Sequence, residues 1–379
     1  MKILIVAPQP FFSFRGTPIA TKLLIQELIK LGHKVDILTF HLGEDLNIKD
    51  LRTIRIWKLK FIRNIPIGFS IGKLVCDVFL TIKLFYIVTK NNYDVIHAIE
   101  ESIFPAILIS KIFKIPVIYD MDSLLYIPKD SNSFLYKVHK NLAKFFLKKI
   151  IRIPVKVVVS NNHLKNYIKV NISSQARIVV LRDSPIRAIE AKENLRKKFN
   201  LYDKYLFLYI GNLTSYQGIG LAIEAFSKVK TDKYKFIVIG GDKKQILKYK
   251  KLAIKHKVFD KIIFLGVRPI EYMLYYLIQA DALILPKLTG NLTPMKANYY
   301  KLSRVPILAT DIPGNTEILE GSNTYFFKPN VDSFTYVIEK FMKSQNDLSD
   351  KENDLFSIKK DAKKFQIRYN LLIKQLYML

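Results

Sequence analysis

Residues 285–319 read LPKLTGNLTPMKANYYKLSRVPILATDIPGNTEIL, and this stretch decides the fold that we predict for the chain. It begins at the end of an apolar strand and runs through a polar loop and a helix into a second apolar strand at residues 305–309. Two strands joined through a helix form the unit of a parallel α/β sheet. Residues 1–190 alternate strand and helix patterns too, which predicts a mostly parallel sheet covered on both faces.

The loop within this stretch is rich in groups that bind anions. It supplies one cation, two hydroxyls, an amide and a flexible backbone, from Lys287, Thr289, Gly290, Asn291 and Thr293. Thr293 is the predicted N-cap of the following helix, and Pro294 is predicted at its first helical position. A helix N-terminus with free N–H groups, flanked by Lys287 and Lys296, predicts an anion site. The alternative is an ordinary loop-to-helix turn with solvated lysines.

The same stretch resembles the donor-binding segment of the retaining glycosyltransferases of family 4. The closest likeness is to a bacterial branch with the pattern GN-x-TP-(L/M)-K, which is matched here by Gly290, Asn291, Thr293, Pro294, Met295 and Lys296. The resemblance implies the GT-B architecture, an α/β fold with two Rossmann-like domains facing a central cleft. The family places two glutamates eight residues apart in this segment, and the second of them usually holds the donor ribose. This chain has Asn291 and Tyr299 at those two positions.

The length and composition fit two domains and a reducing compartment. The chain has 379 residues, half of them apolar, and a single cysteine, Cys76, which excludes an internal disulfide framework. The run MKILIVAPQP is too short for a signal peptide, and no stretch has 18 uninterrupted apolar residues. We therefore expect a cytoplasmic protein. With the resemblance, the predicted domains are 1–190 on the acceptor side, 191–355 for the nucleotide sugar, and a C-terminal helix at 356–379 that packs back on the first domain.

The net charge of +29 is spread evenly, with 29 basic against 14 acidic residues in 1–190 and 32 against 18 in 191–379. Even spreading argues against a nucleic-acid-binding stripe, and no nucleic-acid motif is present, so we expect no nucleic-acid partner. A proteome-wide bias and an attraction to anionic lipid headgroups both remain as explanations. Residues 133–156 set lysines among aromatic residues at helical spacing, which predicts a helix on an anionic membrane surface. The alternative is a solvated basic face on a core-packed helix.

Several candidate site residues lie where predicted strands of the first domain end. Gly16 precedes the first helix, where backbone N–H groups could face a phosphate, although a simple strand-to-helix turn explains it too. Glu101 begins a helix after a strand that contains His97, so it is either a helix-capping acid or part of the site. Asp120 and Asp122 follow another strand, and such a pair suits Mg²⁺ or Mn²⁺.

The resemblance assigns the loop after Asp120 to the acceptor and the reacting sugar instead. Many family members have a histidine in this loop, and Asp122 is the nearest polar substitute in this chain. We therefore predict Asp122, Asp120 and Glu101 as catalytic residues, with no metal site and no metal requirement.

A second candidate phosphate cradle follows the predicted strand at residues 205–210. Gly211 and Gly218 bracket a polar loop that leads into a helix. In the resembling family two basic residues stand at the positions of Asn212 and Gln217, so Lys287 and Lys296 are expected to carry more of the charge neutralisation.

The resemblance implies a retaining transfer of a sugar from a nucleotide-diphosphate sugar to a glycan or a lipid-linked acceptor. Such a step would belong to cell-surface polysaccharide or lipopolysaccharide synthesis, with the nucleotide sugar as co-substrate and no cofactor. Thr316 and Glu317 end a segment that is predicted to close over the donor. Two alternatives are a catalytically degenerate GT-B-like binding or scaffold protein and a nucleotide-sugar epimerase on the same fold.

Overall fold

The computed structural model describes residues 1–13, 16–65, 70–121, 145–181, 193–289, 294–344 and 355–378. The chain divides into two compact units: unit 1 comprises Met1–Asp183 and Tyr369–Leu379, and unit 2 comprises Ser184–Arg368. Each unit is built on one parallel β-sheet, so the predicted α/β class with two parallel sheets is confirmed. No helix in the described ranges is long and apolar enough to cross a membrane.

Unit 1 contains a seven-stranded sheet whose strands are mostly apolar and buried. The strands are β1 (Lys2–Ala7), β2 (Lys34–Thr39), β3 (Leu51–Arg55), β4 (Val95–Ile99), β5 (Val117–Met121), β6 (Lys156–Val159) and β7 (Ile178–Val180). Their order across the sheet is β3-β2-β1-β4-β5-β6-β7. The order reverses between β1 and β4, and in open α/β sheets ligands bind outside the carboxyl ends of strands at such a point.

The helices of unit 1 are α1 (Gly16–Lys30), α2 (Ile71–Lys90), α3 (Ile103–Phe113) and α4 (Asn162–Asn171), and residues 145–150 are also helical. Side chains cap two of them, because the Ser70 hydroxyl accepts the Lys73 N–H and the Asn161 side chain accepts the Leu164 N–H. Such caps satisfy backbone donors that have no partner within a helix. They fix where the loops leading into α2 and α4 end.

Unit 2 contains a six-stranded parallel sheet. Its strands are β8 (Tyr205–Ile210), β9 (Tyr234–Ile239), β10 (Ile262–Gly266), β11 (Ala282–Leu285), β12 (Ile307–Thr310) and β13 (Thr324–Phe327), in the order β10-β9-β8-β11-β12-β13. Phe207, Phe226 and Phe236 lie in its core, with ring centroids 4.8 Å apart for the stacked pair Phe226 and Phe236. Here the order reverses between β8 and β11, the two strands that precede the predicted phosphate loops.

The helices of unit 2 are α5 (Leu195–Phe199), α6 (Ile219–Lys228), α7 (Lys243–Lys255), α8 (Met273–Leu277), α9 (Met295–Ser303), α10 (Pro313–Leu319) and α11 (Val331–Ser344). The last helix, α12 (Leu355–Leu376), runs through residue 368 in unit 2 and continues into unit 1. A capping box of Asp242 and Gln245 begins α7.

Three predicted features differ from the structure. Glu100–Ser102 form a short 3-10 turn, and α3 begins only at Ile103. Asp120 lies within β5 rather than after it. Lys156, predicted in the basic helix at 133–156, lies in β6, where its ammonium donates to the carbonyls of residues 375, 376 and 378 at the C-terminal end of α12. Cations are favoured there because free carbonyls end a helix.

Candidate functional site

Two buried lysines lie close together in unit 2. Lys287 follows β11, and Lys296 lies in the first turn of α9; they are 7% and 8% exposed. Burial lowers the pKa of Lys287 to about 8. Burial also lowers the pKa of Lys296 well below its ordinary value, and the charge of Lys287 adds to this effect. Since like charges in a desolvated site disfavour each other, the arrangement favours an anion.

The ammonium of Lys296 is held by neutral groups. It donates to the Gln217 side-chain carbonyl at 2.8 Å and lies 3.9 Å from the centre of the Tyr209 ring. No carboxylate of the described residues pairs with it. A carbonyl dipole and an aromatic face stabilise a cation partially, but they leave its net charge in place. The predicted donor residue Gln217 therefore acts in this structure by positioning Lys296.

The loop after β8 is shaped to let this ammonium approach the backbone. Gly211 has a φ of +153°, and a Cβ there would lie 2.9 Å from Lys296 Nζ and 3.0 Å from the Tyr209 hydroxyl. The Tyr209 hydroxyl donates to the Asn212 carbonyl at 2.6 Å. The side chain of Asn212 in turn accepts from the Thr214 N–H and hydroxyl, so Asn212 organises the loop.

This loop touches the segment that follows β11. Gly218 has a φ of +76°, and a Cβ there would lie 1.8 Å from the carbonyl oxygen of Pro286. The N–H of Leu288, two residues after Pro286, donates to the Tyr216 carbonyl at 2.9 Å. Only glycine allows this approach, and it brings the two predicted phosphate loops of unit 2 together.

Helix α9 begins one residue later than predicted. Pro294 is the N-cap residue, with φ −69° and ψ 128°, and Met295 is the first helical residue, so the predicted placement of Pro294 is wrong. Asn291 and Thr293 lie outside the described residues. Tyr300 anchors the helix to the sheet, since its hydroxyl accepts the Ile210 N–H at 3.0 Å.

Tyr299, which stands where the resemblance places the ribose contact, is only 1% exposed. A donor could reach this side chain only if its surroundings moved. Tyr299 is therefore packed into the structure rather than directed outwards.

The segment after β12 is tied to the backbone of Lys287. The Thr310 hydroxyl donates to the Lys287 carbonyl at 2.5 Å, and the amide of Asn315 donates to the Thr310 carbonyl and hydroxyl. The side-chain carbonyl of Asn315 is buried without a partner among the described residues. Thr316 and Glu317 follow in α10, where the Thr316 hydroxyl bonds carbonyls of its own helix and Glu317 is partly buried.

In unit 1 a buried histidine links Asp120 to the C-terminal segment. His97 Nε2 lies 3.1 Å from an oxygen of Asp120, and His97 Nδ1 lies 2.8 Å from the Tyr377 hydroxyl. A hydroxyl that donates to Nδ1 leaves the hydrogen on Nε2, which then donates to the carboxylate, so this tautomer satisfies all three groups. A small pocket beside Asp120 is lined by Ala20, Leu24, Val158, Ser160, Leu181 and Tyr369.

Two other predicted residues of unit 1, Glu101 and Gly16, are also described by the structure. Glu101 pairs with Lys73 at 3.0 Å, and Lys73 also contacts Asp77 at 3.3 Å. Gly16 is the first residue of α1, and a Cβ there would meet nothing within 4 Å, so no steric need for glycine exists at this position. Asp122 lies outside the described residues. Within the described ranges, no cluster of three His, Cys, Asp or Glu side chains could hold a metal ion.

Sequence patterns miss four residues of these sites, namely Tyr209, Tyr300, Asn315 and Tyr377. Tyr209 lies in an apolar strand, Tyr300 follows another tyrosine in a helix, and Tyr377 stands 280 positions from its partner His97. Asn315 offered a signal, because it is an amide that follows a Pro-Gly pair shortly after a strand, where polar groups mark the edge of a sheet.

Comparison with known proteins places these loops in a recognised domain. Residues 191–360, a little under half of the chain, match the family described as Glycosyl transferases group 1. This part of the chain is therefore similar to the group 1 glycosyltransferase domain. A comparison with curated proteins gave no match.

Solved structures resemble the whole chain in fold. Sucrose-phosphate synthase from Thermosynechococcus elongatus matches with a TM-score of 0.78 and 16% identity, covering 99% of this chain and 98% of its own. Anabaena HepE in complex with UDP and glucose matches with a TM-score of 0.74 and 16% identity over 100% of both chains. WaaG, a glycosyltransferase involved in lipopolysaccharide biosynthesis, matches with a TM-score of 0.70 and 14% identity, covering 99% and 98%. At such identities the likeness shows the GT-B fold.

Proposed function

We propose that the chain is a retaining glycosyltransferase of family 4 that moves a sugar from a nucleotide-diphosphate sugar to a glycan or a lipid-linked acceptor. The observation that carries the proposal is the buried ammonium of Lys296, which lies beside Lys287 and is held, among the described residues, by neutral groups alone. A bound diphosphate would neutralise both lysines. Two similar structures, HepE with UDP and HepE with UDP-glucose, support a nucleotide-sugar donor.

The lysines would act on the leaving group. When the bond between the sugar and the diphosphate breaks, negative charge develops on the diphosphate oxygens, and fixed cations in a desolvated site stabilise that charge. The first N–H groups of α9 add hydrogen-bond donors at the positive end of the helix dipole. The two lysines supply positive charge that a divalent cation would otherwise provide, and we propose that turnover needs no added metal.

Unit 1 would supply the acidic side chains of the reaction. Asp120 is held in place by His97, and it lies beside a pocket. We propose Asp120, with Asp122 and Glu101, as residues that contact the acceptor or the reacting sugar. Retention would then proceed on the donor face without a covalent enzyme intermediate.

A binding protein without turnover is the second candidate. It is favoured by the burial of Tyr299, at the position where the resembling family holds the ribose with a carboxylate. Binding of a nucleotide sugar without release of nucleotide, with or without acceptors, would support this candidate.

The test is turnover of the Lys296→Gln variant. We expect donor hydrolysis and transfer to fall by about 100-fold or more, the effect typical of losing one group that stabilises transition-state charge. Lys340→Gln, an exposed lysine on α11, is the matched control and should keep wild-type rates. Unchanged turnover in Lys296→Gln would refute the proposal, provided that circular dichroism shows both variants folded.

We also propose that the protein works at the inner face of the plasma membrane, in cell-surface polysaccharide or lipopolysaccharide synthesis. In the predicted segment 133–156, residues 133–144 lie outside the described part. Phe145 and Phe146 are about half-exposed, and Lys149 lies 4.5 Å from the Phe145 ring. These residues support a membrane contact, whereas the bound ammonium of Lys156 does not.

A further inference from the structure

We propose that Lys156, Tyr377 and His97 are positioning residues that hold the Asp120 carboxylate for the transfer reaction. They are linked through the C-terminal end of α12, which belongs to unit 1. The inference deepens the proposed function and rests on the role of Asp120 in that reaction. None of the three residues has to contact a substrate, because each acts on Asp120 through the next residue of the chain of contacts.

Three neighbouring strands of unit 1 bring these side chains to one face of the sheet. The register pairs His97 on β4 with Ile118 on β5, and Ile118 with Lys156 on β6. Residues paired across parallel strands point to the same face, and so does the residue two positions further along a strand. Asp120 lies two residues after Ile118. It therefore shares this face with His97 and Lys156.

Lys156 holds the backbone that carries Tyr377. Its ammonium donates to the carbonyls of Leu376 and Met378 at 3.1 and 2.9 Å, the residues on either side of the tyrosine. Ile373, Leu376 and Tyr377 also belong to the buried core of unit 1 and are at most 4% exposed. A cation on the free carbonyls at the end of a helix stabilises that end. The backbone of Tyr377 is therefore fixed by packing and by Lys156.

Tyr377 fixes the imidazole of His97 in turn. The two rings are stacked, with centroids 6.0 Å apart and an angle of 18° between their planes. The Tyr377 hydroxyl lies 2.8 Å from His97 Nδ1, and His97 Nε2 lies 3.1 Å from an oxygen of Asp120. Both ring nitrogens are thus engaged, and the imidazole is fully buried. The ring cannot turn without leaving a buried polar atom without its partner.

Asp120 is the end of this chain of contacts that faces a pocket. Its side chain is 18% exposed and lines the small pocket of unit 1. Among the described residues, His97 is the only side chain that hydrogen-bonds this carboxylate. A shift of about 1 Å in a group that acts on a substrate can lower turnover by about 100-fold. Loss of a link should therefore lower kcat more than it changes the donor KM, since Lys287 and Lys296 lie in unit 2.

The first test compares two replacements of His97. The side-chain nitrogen of glutamine can take the place of Nε2 and still donate to Asp120, whereas that of asparagine reaches only the place of Nδ1. We expect His97→Gln to keep kcat within about threefold of the wild type, and His97→Asn to lower it by about 100-fold, as Asp120→Asn does. Equal losses in the two variants of His97 would show that the imidazole only fills space, and would overturn the inference.

The second test concerns the link through α12. Tyr377→Phe and Lys156→Met should each lower kcat by about tenfold or more and change the donor KM by less than about twofold. Lys169→Met, at an exposed lysine of α4, is the matched control and should keep the wild-type kcat. Because both residues act through His97, the double variant should lose about as much as the worse single variant. Losses that multiply in the double variant would overturn the inference.

Nitrogen NMR of the labelled imidazole gives a measurement that does not depend on turnover. In the wild type we expect the hydrogen of His97 on Nε2, and Tyr377→Phe should shift the Nδ1 signal in a protein whose melting curve shows it folded. A hydrogen on Nδ1 in place of Nε2 in the wild type would overturn the inference.

Two further outcomes separate this inference from the proposed function. Wild-type protein that turns over no donor would overturn both together. Loss of turnover in Lys296→Gln, with turnover kept in Asp120→Asn and His97→Asn, would leave the proposed transferase in place and overturn this inference alone.

Discussion

Replacing Lys287 with methionine should stabilise the ligand-free protein and remove its affinity for nucleoside diphosphates. Lys287 is buried, and burial disfavours its charged form. Methionine has a similar length and carries no charge, so it removes the desolvation penalty while keeping apolar contacts. If Lys287 serves ligand binding at a cost to the stability of the fold, its replacement should raise the free energy of unfolding and lower the affinity for nucleoside diphosphates.

The magnitude follows from the pKa of Lys287. A fall from 10.5 to about 8 corresponds to about 3 kcal/mol at 1.36 kcal/mol per pH unit. Below pH 8 the lysine is charged in both states, so the full penalty applies. Between pH 8 and 10.5 the unfolded state binds more protons than the folded state, so the free energy of unfolding of the wild type rises with pH. The variant lacks this rise, so the free energies of unfolding of the two proteins become equal near pH 10.5.

The assay is calorimetric unfolding of the wild type and Lys287→Met from pH 7 to 10.5, with Lys340→Met as the exposed-lysine control. At pH 7 we expect the transition of unit 2 to rise by roughly 6–12 °C, since about 1 kcal/mol shifts a domain of this size by 2–4 °C. Adding a nucleoside diphosphate should then raise the transition of the wild type and of the control only.

Two outcomes would refute this reasoning. If Lys287→Met were less stable than the wild type at pH 7, the buried charge would not be destabilising. If its stability relative to the wild type did not change between pH 8 and 10.5, the pKa of Lys287 would not be lowered. Retained diphosphate binding in a folded Lys287→Met would separately contradict the assignment of this lysine to the donor.

Three further predictions address other parts of the structure. The dissociation constant of a nucleoside diphosphate should rise above about pH 8 as Lys287 loses its proton, approaching tenfold per pH unit; calorimetric titration measures it, and a flat profile would contradict it. Gly218→Ala should destabilise unit 2 by several kcal/mol, about 3 or more, because a Cβ would overlap the Pro286 carbonyl; a wild-type melting curve would show that the loops do not touch. Tyr377→Phe should leave His97 Nδ1 without its hydroxyl partner and lower the free energy of unfolding by about 1–3 kcal/mol. It should also lower kcat while changing the donor KM less, whereas Tyr336→Phe, at an exposed position, should change neither constant.

Much of the fold was predictable because it depends on local pattern. The predicted strand at residues 205–210 agrees with β8 to the residue, since it is an apolar run bounded by polar residues. The polar loops after β8 and β11 were also predictable, because Gly, Asn, Thr and Lys between such runs mark the edge of a sheet. The sequence was a poorer guide to where helices and strands begin and end, as Pro294 and Asp120 show, since neighbouring strands and caps decide where an element stops.

The sequence by itself determined two parallel α/β sheets and a set of cations and glycines beside them. Only the tertiary structure decided what those residues do. Lys296 looks like any helix lysine in the sequence, and it becomes a desolvated cation because Tyr209 and Gln217, 87 and 79 positions away, enclose it. Lys156 matches a surface-helix pattern but binds the end of α12, more than 200 residues later. Burial and long-range contact set the electrostatics of a side chain, and neither is encoded in the spacing of its neighbours.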